Sequence, residues 1–422
     1  MSQATVAVIV FLLVYALIVS DKIHRTIAAL AGAAAVIALG VLDQEQAIRA
    51  IDFNTIGLLT GMMIIVNITR RTGLFEYISI KAVKWAKGSP WMILVSLSTV
   101  TAIASAFLDN VTTVLLLAPI TINVALELRV NPVPFLLAEI FASNIGGTAT
   151  LIGDPPNIMI GSATGLTFTQ FILNLTPVII VIFVATIAAL WFIFGRKMRA
   201  DRDAMEKVMQ LDESQSIKDP VLLRKSLLVL GLVILGFFLH ARLGFETASV
   251  AMMGAALLLL IGRIKVESIL NEVEWTTLFF FIGLFVVVGG LNVTGVLQWL
   301  ANEMMRITGG DPFITAMAIL WISAIASAFV DNIPFVATMI PIIAALEQAG
   351  GSVEAYWWAL SLGACLGGNG TLIGASANVV VAGLAEQRGF RISFNKYLVY
   401  GMPLMLLSIV IAAGYVYLRY LA

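Results

Sequence analysis

Apolar blocks about as long as a bilayer-spanning helix follow one another along this chain, separated by short polar gaps. A spanning helix needs roughly 20 apolar residues. Uninterrupted blocks lie near 4–20, 24–42, 54–69 and 172–195, and again near 223–240, 246–262, 276–292 and 397–420. Each half also carries two longer apolar stretches with polar interruptions. Those near 90–127 and 312–346 are split by Asp109-Asn110 and Asp331-Asn332. Those near 134–163 and 355–385 are split by runs of Gly, Asn, Thr and Pro or Ser. The pattern predicts an all-α polytopic membrane protein. Its ten spans include the two broken helices, and two re-entrant helical hairpins are added to them.

The interruptions recur in register. Ala102-Ile103-Ala104-Ser105-Ala106-Phe107-Leu108-Asp109-Asn110 returns as Ala324-Ile325-Ala326-Ser327-Ala328-Phe329-Val330-Asp331-Asn332, eight of nine positions matching at an offset of 222. The same offset pairs Gly61 with Gly283, Thr72-Gly73 with Thr294-Gly295 and Pro119 with Pro341. At an offset of 221, Gly146-Gly147 pairs with Gly367-Gly368, Thr150-Leu151-Ile152-Gly153 with Thr371-Leu372-Ile373-Gly374, and Asn157 with Asn378. The expected units are an N-terminal repeat over 1–195, a polar linker over 196–225 and a C-terminal repeat over 226–422. Each repeat crosses the membrane five times, an odd number, so the second lies inverted relative to the first. Inverted repeats mark secondary transporters, with the binding site near the bilayer midplane where the repeats meet.

Charge placement orients this topology. With the N-terminus outside, 21 of the 25 Lys and Arg residues fall on one side, Lys22, Arg25, Arg129 and the cluster from Arg196 to Lys225 among them. Only Arg49, Arg242, Arg306 and Arg419 fall on the other. The basic side is the cytoplasmic one. That predicts a plasma (inner) membrane protein with both termini on the outer side. The run from Thr5 to Ser20 has no basic stretch before it and no small-residue cleavage site, so it reads as a retained span.

Composition narrows the function classes. With 60% hydrophobic and only 12% charged residues, the chain has too little polar surface for a water-soluble particle, since soluble domains carry about 25% charged residues. Lipid is therefore its main partner. Zero net charge argues against nucleic acid. One cysteine, Cys365, and two histidines, His24 and His240, leave no disulfide and no metal cage. No nucleophile–base pair appears, so no enzyme is expected, and no cofactor beyond a coupling H⁺ or Na⁺. A phosphate-binding Gly-Lys-Ser or Gly-Lys-Thr loop is also missing, so ATP hydrolysis would need a partner ATPase.

Two duplicated motifs carry candidate chemistry. The first is the hairpin tip, Asp109-Asn110-Val111-Thr112-Thr113 and Asp331-Asn332-Ile333-Pro334. An aspartate at membrane depth is costly and by default functional. Asp109, Asn110, Thr112, Asp331 and Asn332 could hold the coupling ion. Asp and Asn are also good helix caps, and the two roles are compatible. The second motif is the helix break. Asn144, Gly146, Gly147, Thr148, Thr150, Asp154 and Asn157 in the first half, with Gly368, Asn369, Thr371 and Asn378 in the second, would line a substrate site. Breaks at mid-span free backbone carbonyls and present half-helix ends to a ligand; a kink with no ligand is the alternative. Asp154 is matched by Ala375 and Asn144 by Cys365, so the site is expected to be asymmetric. No Lys or Arg lies in the tips or breaks, which favours a cation, or a neutral solute coupled to one. Cys365 reads as a small packed residue rather than a thiol ligand. Glu139, one turn before the first break, could relay protons or simply pair with a helix end. Gly61 and Gly283 read as close-packing points.

At Ala106-Phe107-Leu108-Asp109-Asn110-Val111-Thr112-Thr113 and Asn144 to Asn157 the chain resembles the ion transporter superfamily, along essentially its whole length. The nearest likeness is to the branch of arsenite permeases, NhaD-type Na⁺/H⁺ antiporters and the melanosomal P protein. The resemblance implies a scaffold part, a transport part moving as an elevator, and a homodimer. It implies export of arsenite or antimonite against protons, with Na⁺/H⁺ antiport second and Na⁺-coupled anion or carboxylate uptake third. Dicarboxylate carriers of the superfamily have Ser-Asn-Thr at their tips, where this chain has Asp-Asn, and that weakens a citrate assignment. An ion channel and a non-transporting receptor are the rivals from other classes.

Overall fold

The structure, a computed structural model, describes residues 2–20, 22–348 and 354–422. The first half runs α1 (Gln3–Ser20), α2 (Arg25–Ala38), α3 (Gln44–Ala50), α4 (Phe53–Arg71), α5 (Leu74–Trp85), α6 (Pro90–Phe107), α7 (Asn110–Glu127), α8 (Val133–Thr148), α9 (Pro155–Thr164) and α10 (Phe168–Ile193). A connector carrying α11 (Arg202–Met209) follows. The second half runs α12 (Pro220–Leu243), α13 (Thr247–Gly262), α14 (Val266–Leu270), α15 (Trp275–Val293), α16 (Val296–Thr308), α17 (Pro312–Phe329), α18 (Asn332–Gln348), α19 (Glu354–Gly367), α20 (Ser376–Gln387) and α21 (Phe394–Val416). Every helix of the first half thus has a mate in the second, in the same order. Nine of the described helices are long and apolar enough to cross a bilayer.

The halves lock together through reciprocal helix pairs. Helix α4 packs on α13 and α2 on α15. A Cβ built on Gly61 would sit 2.7 Å from the carbonyl carbon of Ala251; one on Gly283 would sit 2.6 Å from that of Ala29. Ala29 and Ala251 are themselves mates at the 222 offset. Residue i of one half meets residue j of the other and j meets i, as a two-fold axis requires. The helix backbones touch because neither glycine carries a side chain, which is how helices pack where lipid supplies no hydrophobic drive.

The hairpins and breaks are equally symmetric. The chain leaves α6 through Leu108 (φ −125°, ψ 157°) and α17 through Val330 (φ −127°, ψ 140°), one extended residue each. Asp109 then caps α7, its Oδ1 accepting from the Thr112 amide at 2.8 Å. The breaks pass through Asp154 (φ −139°, ψ 134°) and Ala375 (φ −146°, ψ 144°). Each hairpin lies along its broken helix, α6 on α8 and α17 on α19, pinned where Gly146 meets the Ala102 backbone and Gly367 that of Ala324. Ser105 Oγ donates to the Ser143 carbonyl at 2.7 Å and Ser327 Oγ to that of Ala364 at 2.6 Å.

Two expected spans turn out short. Helix α2 has 14 residues and α13 has 16, so at 1.5 Å per residue α2 is about 21 Å long, less than the ~30 Å apolar thickness. The apolar block that begins near residue 24 includes a turn at Leu39–Val41, which hydropathy alone does not separate from helix. In the connector, α11 packs on α5 and α7, and Lys84 pairs with Glu213.

Candidate functional site

Tips and breaks converge from both halves on a cavity of about 30 Å³. Asp109, Asn110, Asn332 and Ile333 come from the tips; Asp154, Pro155, Ala375 and Ser376 come from the breaks. Helices α2, α4 and α15 close the wall with Arg25, Leu59, Met63, Glu274 and Thr277. Side chains of the two halves meet here: Asn332 Nδ2 lies 3.4 Å from Asp154 Oδ1. Asp154 is 1% exposed, so its carboxylate has little but amide and cavity to face.

Behind the cavity runs a chain of amides. Asn110 Nδ2 donates to Asn144 Oδ1 at 3.2 Å, and Asn144 Nδ2 donates to Asn369 Oδ1 at 2.9 Å and to Asn378 Oδ1 at 3.0 Å. One side chain of the first half therefore reads both segments of the second half's broken helix. All four asparagines are buried, and buried amides are stable only when paired.

The breaks themselves are closed by the protein. Asn157 Nδ2 donates to the carbonyls of Thr148 (3.1 Å) and Thr150 (2.8 Å), and Asn378 Nδ2 to those of Gly368 (2.8 Å) and Thr371 (2.9 Å). These are carbonyls that unwinding sets free. The hydroxyls of Thr150 and Thr371 donate to the carbonyls of Ala106 and Ala328, at the C-terminal ends of α6 and α17, which have no intrahelical partner. Thr148 donates within its own helix to the Asn144 carbonyl at 2.7 Å. Gly147 and Gly368 lie against the backbones of Gly153 and Gly374. So Gly146, Gly147, Thr148, Thr150, Gly368 and Thr371 fasten the breaks and do not line the cavity. Asp109, Asn110, Asp154 and Asn332 do line it, and Asn144, Asn157, Asn369 and Asn378 hold it from behind. Thr112 contributes the backbone amide that the Asp109 side chain caps.

Two charged groups come from places that read as loop. Arg25 Nη1 lies 2.7 Å from Asp331 Oδ2 and 2.8 Å from Ser376 Oγ, and Ser376 Oγ donates to Asp331 Oδ2 at 3.0 Å. The guanidinium also covers the Phe280 ring, 5.1 Å from its centroid. Arg25, expected in a cytoplasmic gap, opens α2 with its side chain 27% exposed and reaching the site. The expectation of a purely acidic site therefore needs this one cation. No signal in the sequence marked it, because hydropathy does not show that α2 ends at Ala38. Glu274 precedes α15 and accepts from Thr277 Oγ1 at 3.1 Å; its mate Asp52 caps α4. That shared placement, an acid just before each third span, was legible in the sequence.

Asp109, Asp154 and Glu274 outnumber Arg25, whose charge is already matched by Asp331. Among the described residues no three His, Cys, Asp or Glu side chains converge as a metal ion would need. The acids are spread round the wall, an arrangement suited to protons or to a monovalent ion completed by amide and backbone oxygens. Cys365 Sγ lies 3.7 Å from Asn157 Oδ1; it is buried directly behind the Asp154 carboxylate and does not itself line the cavity. Glu139, also buried, accepts from Thr121 Oγ1 and lies off the cavity.

A family model described as citrate transporter (CitMHS) matches residues 15–363. An uncharacterized transporter of Mycobacterium tuberculosis is 47% identical over 425 residues, covering 99% of both chains. The human P protein is 34% identical over 499 residues, covering 98% of this chain and 60% of that one. Among solved structures, the YdaH transporter of Alcanivorax borkumensis superposes with a TM-score of 0.61 at 14% identity, over 99% of this chain and 98% of that one. That last likeness is one of fold.

Proposed function

The chain belongs to the CitMHS, or citrate transporter, family of the ion transporter superfamily, and from that premise we propose a cation-coupled carrier in which Asp109, Asp154 and Glu274 hold the coupling H⁺ or Na⁺. The observation that carries this is the cavity at the junction of both tips and both breaks, whose wall carries three carboxylates and the amides of Asn110 and Asn332. A buried carboxylate in such a place is stable when it binds a proton or a cation.

The cargo we favour is arsenite or antimonite, exported as the neutral hydroxide against protons. A volume of about 30 Å³ holds one or two waters or a bare ion, so a trihydroxide, with four heavy atoms, would need the cavity to widen modestly. Na⁺/H⁺ exchange is the second reading and uses the same acids. Carboxylate uptake, as the family description would have it, requires the cavity to open well beyond its present size. The hairpins would be re-entrant, with tips at mid-depth, and the hairpins and broken helices would slide as an elevator against a scaffold containing α2, α4, α13 and α15. The setting would be the plasma membrane, basic side to the cytoplasm and both termini outside, with a homodimer formed through the scaffold. The repeat units would be 1–195 and 226–422, joined by 196–225.

Flux into proteoliposomes tests the proposal. Arsenite, Na⁺ and citrate are offered under imposed pH or Na⁺ gradients, without ATP. Gradient-driven, saturable counterflow of one of them supports it, and an ATP-free result removes the need for a partner ATPase. Single-channel currents would overturn the carrier reading in favour of a channel. No flux of any cargo would favour a receptor.

A further inference from the structure

The two-fold symmetry of the site is broken around one residue. Arg25 is matched by Thr247 at the 222 offset, Asp331 by Asp109, and Ser376 by Pro155 at 221. The cluster Arg25–Asp331–Ser376 thus has no ionic counterpart: its mate would be Thr247–Asp109–Pro155. Asp109 indeed has no such partner, and shares the cavity with Glu274 instead.

Exposure breaks symmetry in the same place. A cleft of about 290 Å³ opens beside the cluster, lined by His24, Arg25, Asp331, Ile373, Ser376 and Val379 among others. Ile373 is 42% and Val379 50% exposed, whereas their mates Ile152 and Ile158 are each 3% exposed. Seven of its eleven lining residues are apolar, and His24, Arg25, Asp331 and Ser376 form its one polar wall, the wall along which water would reach Asp331. The tips and breaks therefore sit displaced toward the Arg25 end of α2 and the Glu274 end of α15. Exchanging the roles of the halves describes the opposite displacement: Ile373 and Val379 buried, Ile152 and Ile158 exposed, and Asp331 beside Asp52, the mate of Glu274. In that arrangement Asp331 has no arginine.

We propose that Arg25 is a tethered counter-cation for Asp331, present in one conformational state only, so that the moving part leaves this state only when a mobile cation replaces the guanidinium. The inference deepens the carrier reading above, adding the residue that ties movement to cation binding. Arg25 lies on both cavity and cleft, as does Ser376, so the cluster is also the partition between them. An incoming cation meets Asp331 from the cleft, frees Arg25, and loosens that partition. Without a replacement, moving the unit would strip Asp331 of its partner and bury a lone charge, which is strongly unfavourable.

The test does not require the cargo to be known. Val379→Cys is a reporter for the state described here, read by an impermeant maleimide on protein in nanodiscs, with labelling located by mass spectrometry; buried Cys365 stays unlabelled. In alkaline buffer with a bulky organic cation in place of Na⁺ and K⁺, Arg25→Gln should slow labelling about threefold or more relative to the otherwise unchanged protein, and Arg25→Lys should restore most of it. In proteoliposomes Arg25→Gln should lose roughly tenfold of net coupled flux while keeping exchange. Equal labelling in Arg25→Gln and the parent would overturn the proposal. Failure to find any flux, with labelling changed as expected, would instead count against the carrier reading and leave the tether standing.

Discussion

Asn144 Nδ2 lies 3.0 Å from Asn378 Oδ1, and their repeat mates, Cys365 and Asn157, meet in the same way through a thiol at 3.7 Å. The two-fold relation survives the substitution of an amide by a thiol. The stronger bond is the one whose donor, Asn144, also joins Asn110 and Asn369. Removing it leaves several buried amides unpaired. Asn144→Ala should cost about 1–3 kcal/mol of stability, seen as a lower midpoint of thermal unfolding in detergent, and should abolish counterflow. Asn144→Cys, which copies the second half, should cost less. Equal losses for the two variants would mean that the amide network carries no special weight.

Asp109 and Asp154 approach the cavity from different elements, one at a tip and one at a break. Asp109→Asn keeps shape and the capping acceptor, Asp154→Asn keeps shape, and each removes a charge. Gradient-driven flux should fall roughly tenfold or more, the equivalent of about 1.4 kcal/mol per decade. Exchange at equal concentrations should persist. A variant that keeps full gradient-driven accumulation would remove its aspartate from the coupling machinery.

Cys365 donates to Asn157, touches Asp154 from behind and does not itself line the cavity. Cys365→Ala should therefore leave arsenite flux within about twofold and cost no more than about 1 kcal/mol, the worth of one weak hydrogen bond. Loss of arsenite flux with Na⁺ flux intact would show instead that the thiol binds the cargo.

Gly61 has the Ala251 backbone where a side chain would go, whereas Gly231 on α12 has nothing within 4 Å. Gly61→Ala should cost about 1–3 kcal/mol, because two helices must separate. Gly231→Ala should be neutral or stabilising by about 0.5–1 kcal/mol, since it only raises helix propensity. Paired thermal unfolding of the two variants measures the contrast.

Much of this arrangement can be read from residue order. The duplicated Ala-Ser-Ala-Phe context before Asp109 and Asp331, and the Gly-Thr-Asn spacing of the breaks, are local patterns, and each becomes the same backbone conformation twice. Asp109, Asn110, Asp154 and Asn332 were identifiable because a polar residue amid apolar neighbours is costly wherever lipid is the solvent. The roles of Thr150 and Thr371 were not. A hydroxyl can serve a ligand or a neighbouring helix end, and only the placement of the Ala106 and Ala328 carbonyls settles which.

Hydropathy, parity of crossings and internal repetition are properties of the one-dimensional chain, and they suffice for the helices, their doubling and the sense of inversion. What lies opposite what is a property of packing. Arg25 is 306 residues from Asp331, and no pattern within either segment announces the other. Folding brings them together because Gly61 and Gly283 let the short helices α2 and α13 be drawn in against α15 and α4, and α2 carries its first residue inward with it.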